Sequence, residues 1–149
     1  MRRSLLILLL STACFFARAQ DTLDFTRFTW GTPLSAMQEQ FGLKLLKEEG
    51  ETRSYSSNVS SIGGADLDDC QFEFTDGKFS GIAATTPGRA DSGKLRRWLE
   101  SRFGQGENRE PLGWQWFSDG THIWFDIARA GEGYLYWYSL ELQPMKEKR

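Results

Sequence analysis

His122 is the single histidine among 149 residues. That fact removes several chemistries at once. A Ser-His-Asp or Cys-His arrangement needs an imidazole beside its nucleophile, and the helical zinc-protease motif needs two histidines, so the composition argues against both. Ile62-Gly63-Gly64-Ala65 is glycine-rich but lacks the lysine and hydroxyl that a phosphate loop requires at fixed spacing. Asp66, Asp68 and Asp69 form the densest acidic cluster. They could touch a calcium ion, yet the alternating ligand ladder of an EF-hand is missing and a solvated acidic loop is the simpler reading. A pair of carboxylates for glycoside hydrolysis is defined by separation in space, which sequence spacing does not encode. The expectation is a protein with no catalytic residues, no cofactor and no metal site.

What remains is an aromatic surface. Four of the six tryptophans, Trp114, Trp116, Trp124 and Trp137, fall between Leu112 and Leu142, a stretch that reads as three antiparallel strands. Asp119-Gly120 separates two aromatic and β-branched runs, as a two-residue type I′ turn requires, because both central residues must reach positive φ. That turn sets Trp116 against Ile123, Trp114 against Phe125 and Phe117 against His122. A second turn at Gly131-Glu132-Gly133, with a loop of two or four residues, pairs Phe125 with Tyr138 and Asp126 with Trp137 and places His122 across from Glu141. Side chains alternate in a strand, so register divides the meander into two faces. Trp114, Trp116, Ile123, Phe125, Ile127, Tyr136, Tyr138 and Leu140 are assigned to the core. The other face holds Phe117, His122, Trp124, Asp126, Trp137 and Glu141, the candidate partner-binding residues, together with Gln115, Leu135 and Ser139. A loop of three residues would shift the last strand by one and turn Trp137 inward.

The elements before the meander must supply its support. Asp24 to Trp30 reads as a short strand. Thr32-Pro33 is expected to open a helix, with Thr32 as N-cap and Pro33 in the first turn; Leu34, Met37 and Phe41 mark its apolar face and Gly42 its end. Leu43 to Glu48 and Thr52 to Ser57 pair around Glu49-Gly50-Glu51. Ser56 to Asp68, rich in Ser, Gly and Asn, reads as a mobile loop with at most one short strand. Asp69 to Thr75 and Lys78 to Thr85 form a second Asp-Gly hairpin at Asp76-Gly77, with Phe74 facing Phe79. Ile82 has the opposite parity from Phe79, which calls for a bulge at Gly81 or an apolar residue on the open face. Cys70 shares parity with Phe72 and Phe74 and reads as a buried, inert thiol, the alternative being a reactive or intermolecular cysteine. A second helix, capped by Asp91 or Ser92, runs through Phe103 with Leu95, Leu99 and Phe103 on one stripe and Trp98 beside it. Gly104 ends it. Lys94, Arg96, Arg97 and Arg102 are read as a solvated face, with Arg96 and Glu100 spaced for an i,i+4 pair.

These elements predict an α+β fold: an antiparallel sheet with two helices packed on one face, in the order β-α-β4-α-β3. Residues 20–143 form the domain and 144–149 a charged, frayed tail. Residues 1–19 read as a signal peptide, from Arg2 and Arg3 through the apolar run Leu5 to Leu10 to Ala17-Arg18-Ala19 as cleavage site. Cys14 offers a lipoprotein alternative, opposed by Ser11 where such signals carry an apolar residue. Removing the leader's three arginines leaves 15 basic against 20 acidic side chains, a net charge of −5. An acidic chain of this kind does not suit nucleic acid, and membrane attachment would require lipidation at Cys14. Only Cys70 remains after cleavage, so no intramolecular disulfide can form.

Trp30-Gly31-Thr32, the helix to Phe41-Gly42, the aromatic hairpin at Asp76-Gly77, the helix to Phe103-Gly104 and the terminal aromatic meander together resemble a pattern of small exported bacterial proteins of unknown function. The helix-then-meander layout is also similar to β-lactamase inhibitory protein and to small lipoproteins of outer-membrane assembly. The resemblance implies a protein that binds other proteins and catalyses nothing. None of those families' binding residues can be matched individually to this chain. The resulting expectation is an exported, periplasmic or secreted binding module that holds an envelope protein, a peptide or an apolar ligand on the open face of its meander. The alternative is a structural or envelope-assembly accessory.

Overall fold

The structure is a computed structural model and describes residues 29–111 and 113–143. The proposed signal peptide, Cys14, most of the Asp24 to Trp30 strand and the charged tail lie outside the described residues; Trp30 itself sits in a turn. The fold is α+β and mainly antiparallel sheet. Its first helix, α1 (Leu34–Met37), is a single turn. Thr32 does not cap it: its hydroxyl donates to the Thr29 carbonyl (2.7 Å), and Pro33, with extended backbone, takes the N-cap place without a side-chain bond. Met37 and Phe41 nonetheless enter the core as their spacing requires, and Gly42 is left-handed (φ 57°).

Strands β1 (Lys44–Glu49) and β2 (Thr52–Ser56) make the first hairpin. The segment read as a mobile loop is instead a small ribbon, β3 (Ser61–Ile62) with β4 (Ala65–Asp66). Val59, Ile62 and Ala65 are buried, so the few apolar residues in this polar stretch all reach the core and tether it. The second hairpin, β5 (Asp69–Thr75) and β6 (Lys78–Thr85), turns on Asp76-Gly77 (φ 50° and 72°) with Phe74 opposite Phe79. The register shifts beside Phe74, where Glu73 pairs with Gly81, and the bulge returns Ile82 to the buried face.

Helix α2 (Arg89–Phe103) follows, with Gly88 at its N-cap. Ser92 is buried one turn in and donates to the Gly131 carbonyl (2.7 Å) while sharing a hydrogen bond with Thr86 (2.6 Å), so it ties the helix to the loop before the last strand. Leu95 and Leu99 are fully buried, and the Arg96–Glu100 pair forms at 2.9 Å. The chain ends in β7 (Glu107–Asn108), β8 (Trp114–Ser118), β9 (Thr121–Ile127) and β10 (Gly133–Ser139). Six strands therefore lie between the helices and four follow α2, unlike the order expected from the sequence. The added strands are two-residue pieces, too short to leave a periodic signal.

Eight strands form one sheet in the order β1-β2-β5-β6-β10-β9-β8-β7. The chain crosses from the first hairpin pair to the last meander between β6 and β10, where Tyr136 pairs with Ala83 and Trp137 with Ile82. One face is a continuous core built on Phe72, Phe74, Phe79, Ile82, Phe125 and Trp137, covered by α1, α2 and the β3–β4 ribbon. Phe41 stacks on Phe72 (5.1 Å), and Trp137 meets Phe103 edge-on (5.2 Å) and Trp98 (6.3 Å) from α2. Each buried aromatic of this size contributes roughly 2–3 kcal/mol relative to exposure. Cys70 is part of this core; burial pushes its thiol up to about 12, outweighing the hydrogen bond to Ser57, so it is not a thiolate at neutral pH.

Candidate functional site

The opposite face of the sheet is hollow. Residues on it form cross-strand rows, one running Ser54, Glu73, Gly81, Tyr138, His122 and Phe117, the next Ser56, Gln71, Ala83, Tyr136, Trp124 and Gln115. In both rows the central strand β6 contributes the smallest side chain, glycine or alanine, while strands on either side contribute long ones. The result is a trough of about 1100 Å³ across seven strands, from Lys47 and Glu49 on β1 to Gln115 on β8. Its two walls differ. On β1, β2 and β5 the lining is polar and acidic, with Glu49, Glu51, Asp69 and Glu73; on β10 and β9 it is aromatic, with Tyr134, Tyr136, Tyr138 and Trp124.

Hydrogen bonds cross the floor. Tyr136 reaches over β6 and donates to Glu73 Oε2 (2.5 Å), and the Gln143 amide donates to the same oxygen (2.7 Å) and to Ser80 Oγ (2.8 Å). Burial and the adjoining Glu73 carboxylate raise the Tyr136 hydroxyl well above its ordinary value, so it stays a donor. Gly81 leaves the space this cluster occupies: a Cβ there would lie 3.1 Å from both Gln143 Nε2 and Glu73 Oε2.

His122 is buried beneath Phe117, the rings stacked at 4.3 Å and nearly parallel (3°). Its Nδ1 lies 2.5 Å from the Tyr138 hydroxyl and its Nε2 3.1 Å from Gln115 Oε1. Burial first, and the charge of Arg109 second, lower the imidazole's pKa, which favours the neutral ring. A neutral ring facing an amide oxygen at Nε2 carries its proton there and accepts at Nδ1 from Tyr138. Both nitrogens are thus engaged. This arrangement can stack, hydrogen-bond and exclude water.

The six candidate residues separate in space. His122 and Trp124 line the trough, and Phe117, 53% exposed, forms the lid over His122. Asp126 is half-buried near the far end of β9, opposite Tyr134, its carboxylate accepting from the Ile127 N–H (2.8 Å). Glu141 is exposed in the turn after β10, beyond the paired region, so it does not face His122; Tyr138 does. Trp137 is on the other side of the sheet, 6% exposed, in the core.

The cause of that correction is one loop. Ala128 N–H donates to the Glu132 carbonyl and Gly131 N–H to the Ala128 carbonyl, leaving Arg129-Ala130-Gly131 as a three-residue connection with Gly131 at φ 109°. Phe125 therefore pairs with Leu135, not Tyr138, and Asp126 with Tyr134, not Trp137. An odd shift exchanges the faces: Leu135 and Trp137 turn inward, while Tyr136 and Tyr138, expected in the core, turn to the trough. The sequence does not mark Tyr134, Glu73, Ala83 or Gln143 as site residues, and its expected register puts Tyr136 in the core. Two signals for them existed. Tyrosine recurs at every second position from 134 to 138, marking a face where hydroxyls need polar partners, and Gly81 and Ala83 interrupt an otherwise bulky strand on one parity.

Among the described residues no group of three or more His, Cys, Asp or Glu is placed to hold a metal ion, and no helix is long and apolar enough to cross a membrane. Comparison of the chain with protein-family models, curated proteins and solved structures finds no match.

Proposed function

We propose that this chain is an exported, non-catalytic binding module that takes an elongated ligand in the trough on the open face of its sheet. The trough itself carries the reading. A preformed hollow with one aromatic wall and a floor crossed by hydrogen bonds is suited to binding without rearrangement, which limits the ordering entropy a ligand must offset. Aromatic side chains supply large contact areas at low entropic cost, and Tyr134 keeps 43% of its surface accessible. The non-catalytic part rests on the composition, in which His122 is the single histidine and the usual nucleophile-base and two-histidine motifs are missing from the sequence. Export, to the periplasm or outside the cell, rests on Arg2 and Arg3, the apolar run after them and Ala17-Arg18-Ala19.

Ala83→Trp tests the reading, because it fills the trough over the strand with the smallest side chains without touching the core face. A displayed random-peptide library and an oligosaccharide array should each be screened against the wild type and this variant at matched thermal stability. Ligands enriched on the wild type and lost from Ala83→Trp are the expected result. Equal enrichment on both proteins would place binding elsewhere and end the proposal.

A further inference from the structure

We infer that the occupant of the trough is an extended, cationic peptide segment. The inference rests on the trough being the binding face and adds the chemistry of what lies in it. Four carboxylates line it, from Glu49, Glu51, Asp69 and Glu73, against one lysine, Lys47, and no arginine among the described residues. Lys47 pairs with Glu49. Glu51, Asp69 and Glu73 have no Lys or Arg partner among the described residues. Asp69 accepts from Gln71 (2.6 Å) and Glu73 from Tyr136 and Gln143, and these are neutral donors that leave the negative charge in place.

A concave surface with low-dielectric walls concentrates the field of such charges, so the trough attracts cations more strongly than the same carboxylates would on a flat surface. The opposing wall reinforces that preference. Tyr134, Tyr136 and Trp124 border the same hollow, and the faces of aromatic rings attract guanidinium and ammonium groups. This chain already uses the interaction on its other side, where Arg96 lies 4.0 Å from the Trp114 ring centre.

The shape selects a chain over a compact ligand. Six strand spacings of about 4.8 Å separate the seven strands, a span of about 29 Å. An extended peptide covers that with about nine residues at roughly 3.3 Å each. Successive side chains of such a peptide would meet the acidic wall at one end and the aromatic wall at the other.

The test uses fluorescence anisotropy with labelled nine-residue peptides of alternating arginine and serine. Its controls replace every arginine with citrulline, which keeps the shape and removes the charge, or with glutamate, and a β-linked glucose hexamer serves as competitor. Full-length mature protein, Glu51→Gln/Asp69→Asn and Ala83→Trp are compared; the two exposed carboxylates can be neutralised without disturbing the core. The arginine peptide should bind the wild type about tenfold or more tighter than the citrulline peptide, a margin one partly desolvated ion pair supplies. Binding should weaken between 0.05 and 0.5 M salt by roughly tenfold, and the margin should shrink in Glu51→Gln/Asp69→Asn. If the citrulline peptide or the glucose hexamer binds as tightly and Ala83→Trp removes it, the cationic occupant is wrong while the trough remains a binding face. Arginine-peptide binding that survives Ala83→Trp, or the absence of any arginine-peptide binding to the wild type, overturns the inference.

Discussion

Strand β10 shows two surfaces with opposite tasks on one short run of residues. Leu135 and Trp137 are buried against Ile123, Phe103 and α2, whereas Tyr134, Tyr136 and Tyr138, their immediate neighbours, border an open trough. All five are aromatic or aliphatic. What separates them is the hydroxyl: those of Tyr136 and Tyr138 find partners on the trough side, at Glu73 and His122, whereas Leu135 and Trp137 carry none and join the core. The lesson is that aromaticity alone does not mark a binding residue. A tyrosine takes the side that supplies its hydroxyl with a partner, because a buried hydroxyl without one is costly.

The difference can be broken most forcefully from the inside. Trp137→Ala should cost about 3–5 kcal/mol of unfolding free energy, because it opens a cavity between β10 and α2. Urea unfolding measures this, and a loss under about 1 kcal/mol would mean that the last strand faces the other way. On the trough side, Tyr136→Phe keeps the ring and removes one charge-assisted bond, for an expected loss of roughly 1–2 kcal/mol, moderated because Gln143 still donates to Glu73. A loss as large as that of Trp137→Ala would erase the distinction between the faces.

The smallest effect is a slope. The His122 pKa is lower folded than unfolded, so the unfolded chain binds the proton more readily over the interval between the two values. Its contribution to stability is complete above the ordinary histidine range and declines as pH falls through the unfolded value toward the folded one. Melting temperature should therefore drop on acidification from pH 7.5 to 5. His122→Gln should flatten part of that drop, and an unchanged profile in the variant would show that the ring does not titrate differently on folding.

Much of this was readable beforehand, and the reason is local. Asp76-Gly77 and Asp119-Gly120 specify two-residue turns through their ability to hold positive φ, so the latter hairpin follows residue by residue, with Trp114 opposite Phe125 and Phe117 opposite His122, and the former follows as far as Phe74 opposite Phe79, beyond which the bulge sets Glu73 against Gly81 and not Ser80. The stripe of Leu95 and Leu99, the helix stop at Gly104 and the buried Cys70 follow likewise from spacing. The ribbon Ser61 to Asp66 was not readable, since its polar composition conceals the burial of Ile62 and Ala65.

The composition and the two Asp-Gly turns by themselves determined an α+β chain with an aromatic terminal meander. Only the tertiary structure decided which aromatics look outward. Gly-Tyr-Leu-Tyr-Trp-Tyr-Ser carries no alternation of polar and apolar residues strong enough to choose a face, and Arg129-Ala130-Gly131 admits more than one loop length on paper. Pairing with β6 settles it, because placing Trp137 over Ile82 buries both and leaves Tyr136 above Ala83, where the sheet is hollow. The trough exists only once β10, distant in sequence from the β5–β6 hairpin, lies beside β6.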